Sequence, residues 1–188
     1  MISTERFAGH PGLVHGLTTS PDGRTLATGG EDGTVRLWDL ATSRQLSCLR
    51  PRVGGVNALN WDAGQSGLSV AGNEGLVTCA LGVPVWLRSG SPTVALAGCA
   101  GSLFFSDDMG RVFQHGRDEP LFTTASTVLC LVVVEGYGVA GCADGLVTAW
   151  KRDTQSHIAS VRRPDATAGL SFDGNNIVIA THAGTRCT

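Results

Sequence analysis

Three residues of this chain have the types of an acid–base relay with a nucleophile. Thr28 carries a hydroxyl, His10 an imidazole and Asp32 a carboxylate. Thr28, however, stands in the middle of an apolar, strand-like run, which shields it and weighs against nucleophilic catalysis. Asp107 and Asp108 are adjacent carboxylates that suit acid–base work or a cation, but a solvated turn is the simpler reading. His15, His115, His157 and His182 share no metal-ligand spacing. Six cysteines are scattered without a C-x-x-C pair, so they read as small core residues of a reducing compartment. Gly64-Gln65-Ser66-Gly67 is not a nucleophile elbow. Gly29-Gly30 precedes an acidic turn that would repel phosphate. The expectation is a chain with no catalytic, cofactor-binding or metal-binding residues.

Composition narrows the class. Hydrophobic residues make up 42% of the 188 and charged residues 16%, enough apolar material for a core. The net charge is −2, with basic and acidic residues spread evenly along the chain. No basic stripe is present, so direct nucleic-acid binding is not expected. The longest apolar run, Val128–Val134, falls far short of the roughly 20 residues of a membrane helix. Residues 1–6 contain no apolar export segment, which points to an intracellular setting in cytoplasm or nucleus. Glycine, at 26 residues, punctuates short apolar runs and implies many tight turns.

Those runs repeat. The segment Glu31-Asp32-Gly33-Thr34-Val35-Arg36-Leu37-Trp38 returns as Ala143-Asp144-Gly145-Leu146-Val147-Thr148-Ala149-Trp150. Weaker copies surround Gly75 and Gly110, and a fifth begins at Gly184. The interval is roughly 40 residues, the length of a repeat unit. Each unit holds short strand-like runs between glycine turns: in the first, residues 14–19, 25–28, 34–39 and 45–49. This pattern predicts an all-β fold and excludes parallel βαβ units. The units fall at about 9–50, 51–90, 91–124, 125–163 and 164–188, the last cut short as its third strand should begin.

Residues 9–39 carry Gly9-His10, Ser20-Pro21-Asp22-Gly23 and the run from Leu26 to Asp39. In these features the chain resembles the WD40-repeat family, strongly in the first unit and more loosely after it. The resemblance implies a β-propeller of four-stranded blades. It also implies that His10, Thr28, Asp32 and Trp38 form a hydrogen-bonded tetrad that holds the blade's loop over its sheet. Asp32 would accept from one imidazole nitrogen of His10. The other nitrogen would accept from the Thr28 hydroxyl, whose oxygen accepts from the Trp38 indole. The later units lack this set: Val70, Phe105, Ala140 and Ile179 stand where Thr28 stands, so those blades should rely on apolar contacts.

By the same resemblance the function is that of a non-catalytic scaffold binding protein or peptide partners within a multiprotein complex. Partner-contacting positions map to Leu13, His15 and Glu31 in the first unit, and to Asn57, Asn73 and Asp108 in later ones. Two alternatives stand beside this. The first unit followed by short ones is similar to a WD40 subunit of a THO-type mRNA-export complex. The segment Leu146-Val147-Thr148-Ala149-Trp150 with Asp153-Thr154 resembles repeats of quinone-dependent dehydrogenase propellers. Four units and part of a fifth fall below the roughly seven of a usual ring, although residues 2–7 could supply a closing strand. An incomplete ring leaves strand edges open, so association through those edges, or a partner that supplies strands, is expected.

Overall fold

A computed structural model describes residues 7–61, 67–80, 83–172, 176–181 and 184–187. The described residues form nineteen strands and no helix. The first sheet comprises β1 (Val14–Thr19), β2 (Thr25–Gly30), β3 (Val35–Asp39) and β4 (Gln45–Leu49). The second comprises β5 (Val56–Trp61), β6 (Gly67–Gly72), β7 (Gly75–Ala80) and β8 (Val83–Ser89). The third holds β9 (Thr93–Cys99), β10 (Ser102–Asp107), β11 (Arg111–Gln114) and β12 (Phe122–Thr123). The fourth holds β13 (Val128–Val134), β14 (Tyr137–Cys142), β15 (Leu146–Lys151) and β16 (His157–Arg162). The fifth has β17 (Thr167–Phe172), β18 (Ile177–Thr181) and β19 (Gly184–Cys187). In every sheet, strands adjacent in sequence are adjacent in space. The fold is thus all-β, a series of antiparallel, blade-like sheets.

The strands differ in burial for a physical reason. The second strand of each four-stranded sheet has neighbours on both edges and material over both faces. β2, β6 and β14 are therefore buried along nearly their whole length, and apart from Tyr137 and Cys142 of β14 they are built from Gly, Ala, Val, Leu, Ser and Thr. The fourth strands β4 and β16 are largely exposed. The second strands also run further than the sequence predicts. β2 continues through Gly29 and Gly30, and β14 through Gly141 and Cys142, because their ladders with β1 and β13 continue. The recurrent turn glycine is a conformational requirement: Gly33, Gly110 and Gly145 have φ of 71°, 75° and 80°.

The chain divides into two compact units, residues 1–93 and 94–188. The first is centred on Ala27, Val35, Val56, Leu59, Val70 and Val77. The second contains one cluster around Phe104, Val112, Val128, Ala140 and Trp150, and another of Val139, Val147 and Ile179. Trp61 lies against the first core. Phe172, expected to fill a gap between sheets, is 38% exposed. The side chain of Trp86 and most of the proposed closing segment, residues 2–7, lie outside the described residues. The cysteines also divide. Cys79 and Cys142 are buried, but Cys48 is exposed because it sits on an outer strand. The fifth unit does contain a third strand: β19 pairs with β18 from Thr181↔Gly184 to Val178↔Cys187.

One feature of register was invisible in the sequence. The first strands of sheets one, two, four and five each carry an irregularity at the same place. It falls between Val14 and Gly16, Val56 and Ala58, Val128 and Cys130, and Thr167 and Gly169. The extra residues are His15, Asn57, Leu129 and Ala168. A bulge bends the strand and re-aims the side chain it carries.

Candidate functional site

The first sheet brings His10, Thr28, Asp32 and Trp38 together. His10 precedes β1, Thr28 is in β2, Asp32 is in the β2–β3 turn and Trp38 is in β3. His10 Nδ1 lies 3.1 Å from Asp32 Oδ1, and His10 Nε2 lies 2.9 Å from Thr28 Oγ1. The Trp38 indole N–H donates to Thr28 Oγ1 at 2.8 Å. Thr28 and Trp38 are buried, and the threonine hydroxyl is engaged by both His10 and Trp38. The geometry therefore suits a brace between loop and sheet better than a relay with a free nucleophile.

Thr34 completes the cluster, and the sequence reading missed it. It is 1% exposed, and its hydroxyl donates to Asp32 at 2.9 Å while its N–H donates to Asp32 Oδ1 at 3.1 Å. Burial alone would raise the Asp32 carboxyl. The Thr34 N–H and hydroxyl, with His10, outweigh burial and hold it below the usual carboxylate range. The signal was available: an aspartate followed two residues later by threonine is a turn in which the carboxylate caps backbone.

Beside this brace lies the face to which partner binding was assigned. Leu13 is 65% exposed, and His15 and Glu31 are exposed. Leu13 and Glu31 hold each other. The Leu13 N–H donates to Glu31 Oε1 at 3.0 Å, and the Glu31 N–H donates to the Leu13 carbonyl at 3.0 Å. The Glu31 carboxylate thus shapes the loop that presents Leu13. In the second sheet, Asn57 Nδ2 donates to Asn73 Oδ1 at 3.1 Å. Asn57 and Asn73 hold the places in the second sheet that His15 and Glu31 hold in the first: a residue at the first-strand irregularity and a residue of the turn before the third strand. In the second unit Asp108 is exposed, and its carbonyl accepts from the Thr127 hydroxyl at 3.1 Å. Leu129, the bulge residue of the fourth sheet, is 37% exposed and is a face position the sequence reading did not name.

The units without the tetrad do not rely on apolar contacts alone. In the third sheet Asp107 is only 1% exposed, which corrects the expectation of a solvated turn. Its carboxylate accepts from the Met109 and Arg111 N–H groups and pairs with the Arg111 guanidinium at 2.7 Å. In the fourth sheet Asp144 accepts from the Leu146 N–H at 3.2 Å and pairs with Arg162 of β16 at 2.8 Å. The Leu146 N–H, followed by the arginine, holds its carboxyl below the usual range against a smaller opposing effect of burial. Trp150 keeps the tetrad indole, but its buried N–H has no hydrogen-bond partner, as Ala140 offers no hydroxyl.

Among the described residues no group of three or more His, Cys, Asp or Glu could hold a metal ion. No helix among them is long and apolar enough to cross a membrane.

Comparison with known proteins agrees with this geometry. Residues 2–39 match the family profile described as WD domain, G-beta repeat. The chain is 44% identical over 70 residues to the ribosome biogenesis protein erb1 of Neosartorya fischeri, a match covering 37% of this chain and 9% of that protein. The erb1 protein of Aspergillus clavatus is 43% identical over 70 residues, with the same two coverages. That of Coccidioides immitis is 41% identical over 70 residues, covering 37% of this chain and 8% of the relative. The match thus spans about a tenth of the length of these relatives.

Proposed function

We propose, from the premise that this chain belongs to the WD40-repeat family, that it is a non-catalytic scaffold which binds protein partners within a ribosome-assembly complex. The observation that carries this reading is the presented face of the first unit. Leu13 is exposed and fixed by reciprocal hydrogen bonds with Glu31, and His15 is re-aimed by a bulge. A face of this kind is exposed yet held by rigid strands, which a binding surface needs. The tetrad is proposed to brace it from beneath. Similarity to erb1 proteins supports the assembly context and a nuclear location. The mRNA-export context remains the alternative complex.

Affinity capture of the tagged chain, with quantitative mass spectrometry, tests the context. Ribosome-assembly factors should be enriched over a tag-only control. Enrichment of mRNA-export factors alone would replace this reading, and quinone absorbance in the purified protein would contradict the scaffold.

A further inference from the structure

Within the second unit, the third and fourth sheets enclose a cavity of about 280 Å³. Both sheets that bound it have all four strands. Thr148 and Trp150 of β15 are the buried part of its wall, and His157 of β16 is an exposed part. Phe122, Thr124 and Gln155 also line it, and no charged arginine, lysine or carboxylate does.

The first sheet shows what the same place holds when the chain fills it. β3 and β15 share one register with their neighbours. Arg36 is opposite Thr28 and Cys48, and Thr148 is opposite Ala140 and Ser160. Trp38 is opposite Gln45, and Trp150 opposite His157, each just after a ladder irregularity at the same step. The turns that lead into the fourth strands agree as well, since Ser43 and Gln155 both have φ of 56°. Arg36, Trp38 and Gln45 are thus the counterparts of Thr148, Trp150 and His157. An aromatic corner is kept in both sheets. Phe7 lies against Trp38 with ring centroids 5.6 Å apart, and Phe122 against Trp150 at 5.0 Å.

In the first sheet Arg36 fills this corner. Its Nη1 donates to Gln45 Oε1 at 2.7 Å. A Cβ at Gly9 would stand 2.9 Å from Trp38 Cη2 and 3.1 Å from both Cδ and Nη1 of Arg36, so the arginine runs beside the indole edge. In the fourth sheet two replacements empty the corner. Thr148 takes the place of Arg36. Thr124, four residues before β13, takes that of His10, four residues before β1. Both threonines are shorter than the side chains they replace. Hydrogen-bond acceptors remain there. The Ser160 hydroxyl donates to Thr148 Oγ1 at 3.0 Å, so at 2.8 Å it accepts from His157 Nε2. That leaves Nδ1 as the acceptor of the neutral ring. Gln155 adds an amide oxygen.

We propose that this cavity takes an arginine side chain from a partner protein, in the place that Arg36 fills in the first sheet. The stem would lie against Phe122 and Trp150, and the planar guanidinium would donate to His157, Gln155 and Thr148. A guanidinium stacks on aromatic rings and is more weakly hydrated than an ammonium, so it suits a corner of aromatics and neutral acceptors. This contact is separate from the Leu13 face and stands independently of it.

The probe is the peptide acetyl-Gly-Arg-Gly-amide, titrated into the isotopically labelled intact chain and followed by NMR. The Trp150 indole and Gln155 side-chain amide resonances should shift saturably. Peptides with citrulline or lysine in place of arginine should bind about fivefold or more weakly, because one lacks the charge and the other the planar fork. Thr148→Arg rebuilds the arrangement of the first sheet. It should abolish the shifts and leave Tm at or above that of the parent. His157→Lys sets a cation at an exposed position of the wall, and should weaken binding about tenfold with Tm unchanged. Leu13→Ala with His15→Ala should bind the peptide as the parent does. Absence of saturable shifts would overturn the proposal, as would undiminished binding by Thr148→Arg or His157→Lys. Equal affinity for the citrulline or the lysine peptide would also overturn it, since the site would then not select a guanidinium.

Discussion

Asp32→Ala should melt well below both the parent and Asp144→Ala. Its removal strands the Thr34 hydroxyl and N–H and the His10 imidazole, all within 3.1 Å of the lost carboxylate. Unpaired buried donors of this kind cost on the order of 1–3 kcal/mol, or roughly 3–10 °C in Tm. Asp144→Ala strands one backbone N–H and releases Arg162, whose side chain is 60% exposed and can turn to water. Its cost should be about 1 kcal/mol or less. pH supplies a second axis. The Asp32 carboxyl is held below its ordinary value. Its stabilisation is therefore complete above the unfolded pKa of about 3.9 and is lost as pH falls through the lower folded value. The gap between parent and Asp32→Ala in urea unfolding should accordingly narrow below about pH 4. Equal melting of the two alanine variants, or a gap that is constant with pH, would contradict the brace.

Gly138→Ala should strongly destabilise the second unit. A Cβ at Gly138 would stand 2.1 Å from Trp150 Cζ2 and 2.3 Å from its Cε2. Gly138 is opposite Trp150 in the β14–β15 ladder, so the indole lies across a backbone that must have no side chain there. Trp150 is 2% exposed and tilts against Phe122, with ring centroids 5.0 Å apart, so the packed indole must shift before a methyl fits. Overpacking of this severity costs about 1–3 kcal/mol or more. The cause can be isolated by pairing the change with Trp150→Leu. If the clash is the cause, the double variant should lose less than the sum of the single losses. Additive losses in chemical denaturation would place the damage elsewhere in β14.

How far the sequence carries is clearest at the first sheet. Its short strand-like runs, its turn glycine and the four tetrad residues were all readable, because a hydrogen-bonded brace demands particular side chains at particular places. Thr34 was readable in principle from its spacing to Asp32. The Asp107–Arg111 clamp lies within one short turn, where an acid and a base four residues apart are a visible signal. The Asp144–Arg162 clamp is not, because it joins a turn to a strand that becomes its neighbour only through register. The bulges at His15 and Asn57 were hidden for the same reason. A bulge is a mismatch between two ladders, and one strand read alone carries no trace of it.

The central claim is that partners dock on the braced, bulge-presented face of the first unit. Quantitative affinity capture with a double variant, Leu13→Ala with His15→Ala, tests it most directly. Glu31 is left intact, since its carboxylate shapes the loop. Leu46→Ala, an equally exposed leucine on the outer strand β4, serves as the control. The double variant should keep the parent's circular dichroism and Tm while losing most of its captured partners, and the control should recover them in full. Equal partner recovery from both variants would contradict the account and move the interface away from this face.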